Sequence, residues 1–336
     1  MLLRELGEFG FINRISEKFK SIVIPETTGI GDDCAIIRKD ENFDYVVTTD
    51  MLVENIHFIR SKITPFELGY KTLAVNLSDV AAMGGNPFGS FLSVAIPADI
   101  ELEYLDDFIA GYKHLSEKHN VTLLGGDTTR SEKHIALNVT VIGIIEKNRA
   151  RLRSMAKEGD IICVTGFLGD SDGGLKILLE NLPISENEKY LIKRHNNPVP
   201  YVNEGIWLAS QNGVNAMIDV SDGITSDLKH ILNASQKSAV IEIDNLPISQ
   251  QLEAVYKKYG FDVIKSATSG GEDYKLILTI DKNRFSKIAE DYKTKFGNEL
   301  FEIGTVKKGN IGEICWLKQG EKFNGLHEGF NHFRCS

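Results

Sequence analysis

Ala216-Met217-Ile218-Asp219-Val220-Ser221-Asp222-Gly223-Ile224-Thr225 passes from an apolar run, through two acids and a glycine, into a helical pattern. Ala216 to Ile218 reads as a strand, and from about Thr225 to Ser235 the apolar spacing becomes that of a helix. The same exchange of periods recurs on either side. Tyr45 to Thr49, Ser90 to Ile96, Val121 to Leu124 and Ile135 to Ile145 read as strands. Pro65 to Met83 and Leu102 to His119 read as helices, the first with Pro65 suited to its opening turn and Gly84-Gly85 to its end. Beyond the basic stretch Lys147 to Arg153, strands are expected at Asp160 to Thr165, Ala239 to Ile243 and Tyr274 to Ile280, then two closing strands. Helices are expected near Leu175 to Glu180, Val202 to Ser210 and Arg284 to Phe296. This is an α/β protein. Its 336 residues are about twice a usual domain length, and the polar connection near 147–153 divides it into 1–147 and 148–336.

Composition excludes several classes. Lys and Arg number 38 against 47 Asp and Glu, a net charge of −9, which argues against broad nucleic-acid binding. No apolar run approaches the roughly 20 residues of a membrane span. The first twenty residues carry Arg4, Glu5, Glu8, Arg14, Glu17, Lys18 and Lys20, so no secretory core is present there. Cys34, Cys163, Cys315 and Cys335 form no close pair and read as reduced thiols. A cytoplasmic location is expected, with neither nucleic acid nor membrane as partner.

The acids carry the chemistry. Asp33 closes the turn Gly31-Asp32-Asp33, and Asp50 ends the strand through Thr48-Thr49. Asp79 sits inside an otherwise largely apolar helix. Asp127 follows Gly125-Gly126 after a strand, Asp219 and Asp222 bridge a strand and a helix, and Glu272 follows Gly270-Gly271. Taken singly, Asp33 reads equally as a turn residue, Ser221 or Asp222 as a helix cap, and the Gly-Gly pairs as turns. Asp79 resists that reading, because a carboxylate among Val75, Leu77, Val80 and Ala81 requires a partner, which Asn76 at i−3 is placed to share.

Two carboxylates about 4 Å apart repel by about 4 kcal/mol at an effective dielectric near 20. Convergent acids therefore need protons or cations, and oxygen-only ligands suit Mg²⁺ with a substrate phosphate. Glycines beside the acids let backbone N–H groups approach phosphate oxygens. A Mg²⁺-dependent, nucleotide-using enzyme follows as the expectation. No Walker loop, no GxGxxG after a strand, no protein-kinase motif pair and no GxSxG elbow is found, which favours direct transfer between bound substrates.

Six blocks in order resemble the thiamine-monophosphate kinase family: Gly29-Ile30-Gly31-Asp32-Asp33-Cys34-Ala35; Thr49-Asp50-Met51-Leu52-Val53 with His57-Phe58; Asn76 to Gly84; Gly125-Gly126-Asp127-Thr128-Thr129-Arg130; Asp219 to Gly223; and Ser269-Gly270-Gly271-Glu272-Asp273-Tyr274. The resemblance implies transfer of the γ-phosphoryl group of ATP to thiamine monophosphate with Mg²⁺. It also implies the two-domain fold shared with aminoimidazole ribonucleotide synthetase, in which the N-terminal sheets form a β-barrel across a homodimer. Residues 1–147 would then bind ATP and Mg²⁺ and dimerise, while 148–336 would complete the active site.

By the same resemblance Asp33, Thr48, Thr49, Asp50, Asp79, Asp127, Asp219 and Asp222 are metal-site positions, with Asp127 and Asp222 catalytic. Gly126, Asp127, Arg153 and Ser221 contact ATP, and His57 and Glu272 face the thiamine substrate. By the resemblance, the C-terminal block Gly329-Phe330-Asn331-His332-Phe333 departs from the family in its approach, where Leu326-His327-Glu328 supply no Phe, Tyr or Trp ring to stack on thiamine. Other ATP-dependent enzymes of the superfamily, and a non-catalytic metal- or nucleotide-binding protein, are the alternative readings.

Overall fold

The computed structural model describes residues 3–22 and 24–324. In chain order its elements are α1 (Leu3–Phe19), β1 (Thr27–Thr28), β2 (Ala35–Arg38), β3 (Phe43–Val53), α2 (Pro65–Met83), β4 (Asn86–Pro97), α3 (Leu102–His119), β5 (Thr122–Ser131) and β6 (Ala136–Glu146). There follow β7 (Ile161–Val164), α4 (Asp170–Glu180), α5 (Glu186–Asn196), α6 (Val202–Ser210), β8 (Val214–Asp219), α7 (Ile224–Ser235) and β9 (Ser238–Glu242). The chain closes with α8 (Gln250–Tyr259), α9 (Val263–Ser269), β10 (Leu276–Ile280), α10 (Lys282–Phe296), β11 (Phe301–Lys307), β12 (Ile314–Lys318) and β13 (Glu321–Lys322).

Two mixed sheets organise these elements. The first has the order β1-β2-β3-β6-β4-β5, the second β13-β12-β9-β11-β7-β10-β8. In the first sheet only β4 and β5 run parallel, and in the second only β9 and β12. The acidic block Gly125-Gly126-Asp127-Thr128-Thr129 lies within β5 rather than after a strand. A Cβ at Gly126 would sit 1.7 Å from the Leu92 carbonyl oxygen, so only glycine lets this edge strand approach β4 so closely.

α2 is the element on which the site depends. Thr64 caps it by accepting from the Glu67 amide (3.2 Å), while the Glu67 carboxylate accepts from the Thr64 amide (2.9 Å). That reciprocal box, Pro65 in the first turn and a left-handed Gly84 at φ 79° fix both ends of the helix. Almost the whole helix is buried, packed between the first sheet, α3 and α6.

Glycines set the closeness of that packing. A Cβ at Gly69 would lie 1.9 Å from the Phe108 oxygen of α3, and one at Gly111 would lie 1.8 Å from the Phe66 oxygen. Across to the second half, a Cβ at Gly205 of α6 would lie 2.2 Å from the Ala81 oxygen of α2. This backbone-to-backbone contact draws α2 towards β8, and thereby sets the strand end carrying Asp219 beside the helix carrying Asp79. Gly205→Ala is expected to cost about 1–3 kcal/mol of stability, the usual penalty of overpacking. Calorimetric Tm measurement checks this, with Gly29→Ala, whose Cβ meets nothing within 4 Å, unchanged as control.

Candidate active site

Asp33, Asp79 and Asp219 each turn a carboxylate oxygen into one small volume, with those atoms all within 4.8 Å of one another. They arrive from separate parts of the chain: the turn before β2, the last third of α2, and the end of β8. Each is tied by a different hydrogen bond. Arg153 Nη2 donates to Asp33 Oδ1 at 2.6 Å, Thr48 Oγ1 donates to Asp79 Oδ2 at 2.5 Å, and Ser78 Oγ donates to Asp219 Oδ2 at 2.7 Å. Asp50 stands beside them, its amide donating to Asn76 Oδ1 at 3.0 Å. Asn76 therefore orients Asp50, while Asp79 takes its partner from Thr48.

The electrostatics record an unbalanced site. Burial, with Asp33 close by, raises the Asp219 carboxyl to about 8 and that of Asp50 to about 6. Burial and the neighbouring Asp50, Asp219 and Asp33 carry Asp79 well above the usual range. Asp33 is also raised by burial, although Arg153 opposes this. Cys34, buried beside the same acids, is held well above its usual value and is no thiolate.

Among the described residues one positive group, Arg153, faces these carboxylates, and it is anchored again where its amide donates to Asp32 Oδ1 at 2.8 Å. Asp33 Oδ2 is buried without any hydrogen-bond partner. A buried, unpaired carboxylate oxygen surrounded by further carboxylates is the donor set of a hard divalent cation, so these residues fit Mg²⁺.

The other expected residues divide into three groups. Asp222, three residues on from Asp219, is not one of the three clustered carboxylates; burial and Glu8 of α1 raise its carboxyl to about 6, and its amide donates to the buried Asp227 Oδ2 at 3.1 Å. Ser221 accepts from the Glu272 amide at 2.7 Å through its carbonyl, joining the acidic turn to the Gly270-Gly271 turn.

Thr49 and Asp127 face the other way. Thr49 is paired with Thr140, and its hydroxyl donates to the Val139 carbonyl at 3.1 Å. Alternation along β3 sets its side chain on the face opposite Thr48 and Asp50. Asp127 is in register with Ser93, Ser93 with Asn138, and Asn138 with Met51, so it shares that opposite, exposed face. The cluster of one chain thus does not include it.

His57 and Glu272 meet at a separate place. The His57 Nδ1 accepts from the Val53 amide at 3.0 Å, which puts the ring proton of neutral His57 on Nε2. Glu272 stands at φ 62° with its Oε2 3.0 Å from Lys71 Nζ and 3.3 Å from His195 Nδ1. Burial pushes its carboxyl up, but Lys71, His195 and His57 together hold it below the usual range. Asn76 and Ser78 lie in the Asn76 to Gly84 block, whereas Lys71, His195 and Asp227 carried no motif of their own. The block Gly329 to Phe333 lies outside the described residues.

The chain matches the AIR synthase related proteins twice, residues 31–145 matching the N-terminal domain of that family and residues 157–316 the C-terminal domain. It is 39% identical over 328 residues to a thiamine-monophosphate kinase of Buchnera aphidicola subsp. Acyrthosiphon pisum, covering 97% of this chain and 98% of that one. It is 36% identical over 329 residues to the thiamine-monophosphate kinase of Escherichia coli K12, covering 97% and 98%. A solved structure described as "AaThiL complexed with AMPPCP and TMP" superposes with a TM-score of 0.85 at 34% identity, covering 99% of both chains. Within the AIR synthase related proteins, the chain belongs to the thiamine-monophosphate kinase family.

A carboxyl raised on folding stabilises the folded state while it holds its proton. That contribution is complete below the ordinary 3.8 and is lost as pH rises through about 6 for Asp50 and about 8 for Asp219. Metal-free protein is therefore expected to lose stability between pH 4 and pH 8, and added Mg²⁺ to raise Tm more at pH 8 than at pH 5. Scanning calorimetry with and without EDTA checks both, and Asp219→Asn should flatten the slope.

Proposed function

We propose that this protein transfers the γ-phosphoryl group of ATP to the phosphate of thiamine monophosphate, giving thiamine diphosphate and ADP by direct in-line transfer. The observation that carries this reading is the convergence of Asp33, Asp79 and Asp219 within 4.8 Å, in a chain of this family. Asp33, Asp50, Asp79, Asp219 and Asp222 would hold Mg²⁺, with Thr48 through its hydroxyl and Thr49 through its carbonyl oxygen. Held there, Mg²⁺ would supply charge neutralisation to the transferring phosphates.

The chain's own groups do the rest. Thr48, Ser78 and Asn76 fix the carboxylates and the Asp50 amide in advance of binding. Arg153, held on Asp33, has a buried Nε without a partner, and its fork of donors suits a phosphate oxygen. Ser221, at the rim of the acidic turn, is assigned to the nucleotide. An oxygen of the acceptor phosphate forms the new bond to the γ-phosphorus while the bond to the β,γ-bridging oxygen breaks, and ADP leaves with that electron pair. An anionic acceptor needs no base. His57 and Glu272 face the ring end of the acceptor, where Glu272 answers the cationic thiazolium or the aminopyrimidine.

Residues 1–147 form the nucleotide, metal and dimerisation portion in this reading, and 148–336 complete the site in a cytoplasmic homodimer. Support for dimerisation comes from the first sheet. β5 is an exposed edge strand, and Met51, Phe88, Phe91, Leu123 and Leu124 are exposed large apolar side chains on this sheet. A β-barrel across two such sheets would cover them. It would also bring Asp127 and the close-packed Gly126 towards the cluster of the partner chain, so we assign the catalytic and nucleotide roles of these two residues across the dimer.

Incubation with γ-labelled ATP, Mg²⁺ and thiamine monophosphate is expected to place label in thiamine diphosphate, and much less in any product of free thiamine. Equal turnover of the two acceptors would reject the assigned chemistry. Asp79→Asn should lower kcat/KM by about 10²-fold or more with the fold retained, and Asp127→Asn, on an exposed strand, should do the same. Mixing the two inactive variants is expected to restore activity, because a mixed dimer contains one intact composite site. Persistent inactivity of the mixture would place Asp127 elsewhere.

A further inference from the structure

Lys71 is among the largest wholly buried side chains of the protein, and its ammonium lies against the Glu272 carboxylate. A buried ammonium with an acidic partner is costly to separate, since either charge left alone would lose its compensation. Glu272 is far from Lys71 in sequence, comes from the other half of the chain, and is held in the left-handed region at φ 62°. Non-glycine residues occupy that region where surrounding contacts over-determine them, a condition concentrated at functional sites.

The Glu272 amide donates to the Ser221 carbonyl at 2.7 Å, and two residues on the Tyr274 amide donates to the Val220 carbonyl at 2.8 Å. The side chain is then held at a single oxygen, Oε2, by a hydrogen bond from Lys71 Nζ of α2 at 3.0 Å, with His195 Nδ1 of α5 packed against the same oxygen at 3.3 Å. His195 is itself buried, and its Nδ1 lies 3.0 Å from Ser171 Oγ. Glu272 keeps 23% of its side chain exposed despite this grip. A carboxylate clamped on one oxygen, and still open to solvent, is arranged to receive something with the other.

We propose that Lys71 and His195 are positioning residues that hold Glu272 ionised and oriented, so that Oε1 accepts a hydrogen bond from the aminopyrimidine end of the acceptor substrate. This rests on the reading of Glu272 as a substrate-facing residue. Lys71 supplies the compensating charge. His195, buried and tied through Nδ1 to Ser171 Oγ, packs against Oε2 and limits rotation of the carboxylate. Neither touches the transferred phosphoryl group, so their loss should act on acceptor binding and leave the nucleotide end alone.

The test is steady-state kinetics of Lys71→Met, His195→Leu and His195→Asn, the last retaining an amide nitrogen near the position of Nδ1, with Glu272→Gln and the Lys71→Met/Glu272→Gln pair. Lys71→Met and His195→Leu are expected to raise KM for thiamine monophosphate by about tenfold or more, the loss typical of a charged hydrogen bond. KM for ATP should stay within about threefold, and His195→Asn should recover most of the loss. In the Glu272→Gln background Lys71→Met should add nothing further, because both act through one carboxylate; the paired variant also leaves no isolated buried charge and keeps the test open should Lys71→Met fail to fold. An unchanged acceptor KM in Glu272→Gln would remove the substrate-facing reading itself. A raised KM in Glu272→Gln with unchanged values in both the Lys71 and His195 variants, or full additivity in the pair, would overturn the positioning proposal alone.

Discussion

Like charges forced together in a dry place are the constraint on which this structure turns. Asp33, Asp79 and Asp219, with Asp50 beside them, share a volume into which Arg153 brings a single positive charge. At the observed spacing each carboxylate pair opposes folding by several kcal/mol if ionised, at an effective dielectric near 20. The chain meets this cost with apolar packing elsewhere: a doubly capped α2, helix contacts so close that only glycine fits, and two sheets that hold the strand ends in place. What reads as instability in the metal-free chain is affinity for a cation and the phosphates it carries.

α2 joins the two ends of the site. Lys71 and Asp79 stand eight residues apart, about 12 Å along a helix at 1.5 Å per residue. One end meets a clamped carboxylate and two histidines, the other the acidic cluster, so a single rigid element spaces the part of a small phosphorylated molecule that is recognised from the part that reacts. The second half of the chain contributes to both ends, through Asp219 at one and Glu272 at the other. The backbone contact of Gly205 with Ala81 keeps those contributions in step.

Much of this was legible from residues in order. The bounds of α2 and α3 followed from Pro65, Gly84 and the apolar spacing, because caps and periodicity are local physics. The acids Asp33, Asp50, Asp79, Asp219 and Asp222 stood out because carboxylates beside glycines or inside apolar helices need an explanation. The β5 block was read as a turn, since two glycines ordinarily end a strand. There the close approach of β4 demanded glycine, a requirement set by Leu92 more than thirty residues earlier. α5 escaped notice because its sequence is largely polar, α8 despite an apolar stripe of Leu252, Val255 and Tyr256, and α1 because a kink at Gly7 interrupts its pattern. Lys71 and His195 gave no local sign at all, as their meaning lies in a carboxylate brought to them only by folding.

Anomalous diffraction from crystals grown with Mn²⁺ and a non-hydrolysable ATP analogue locates the cation itself. Anomalous peaks are expected within bonding distance of carboxylate oxygens from Asp33, Asp79 and Asp219. Peaks confined to other surfaces, with these three carboxylates bound only to protein or water, would contradict that expectation.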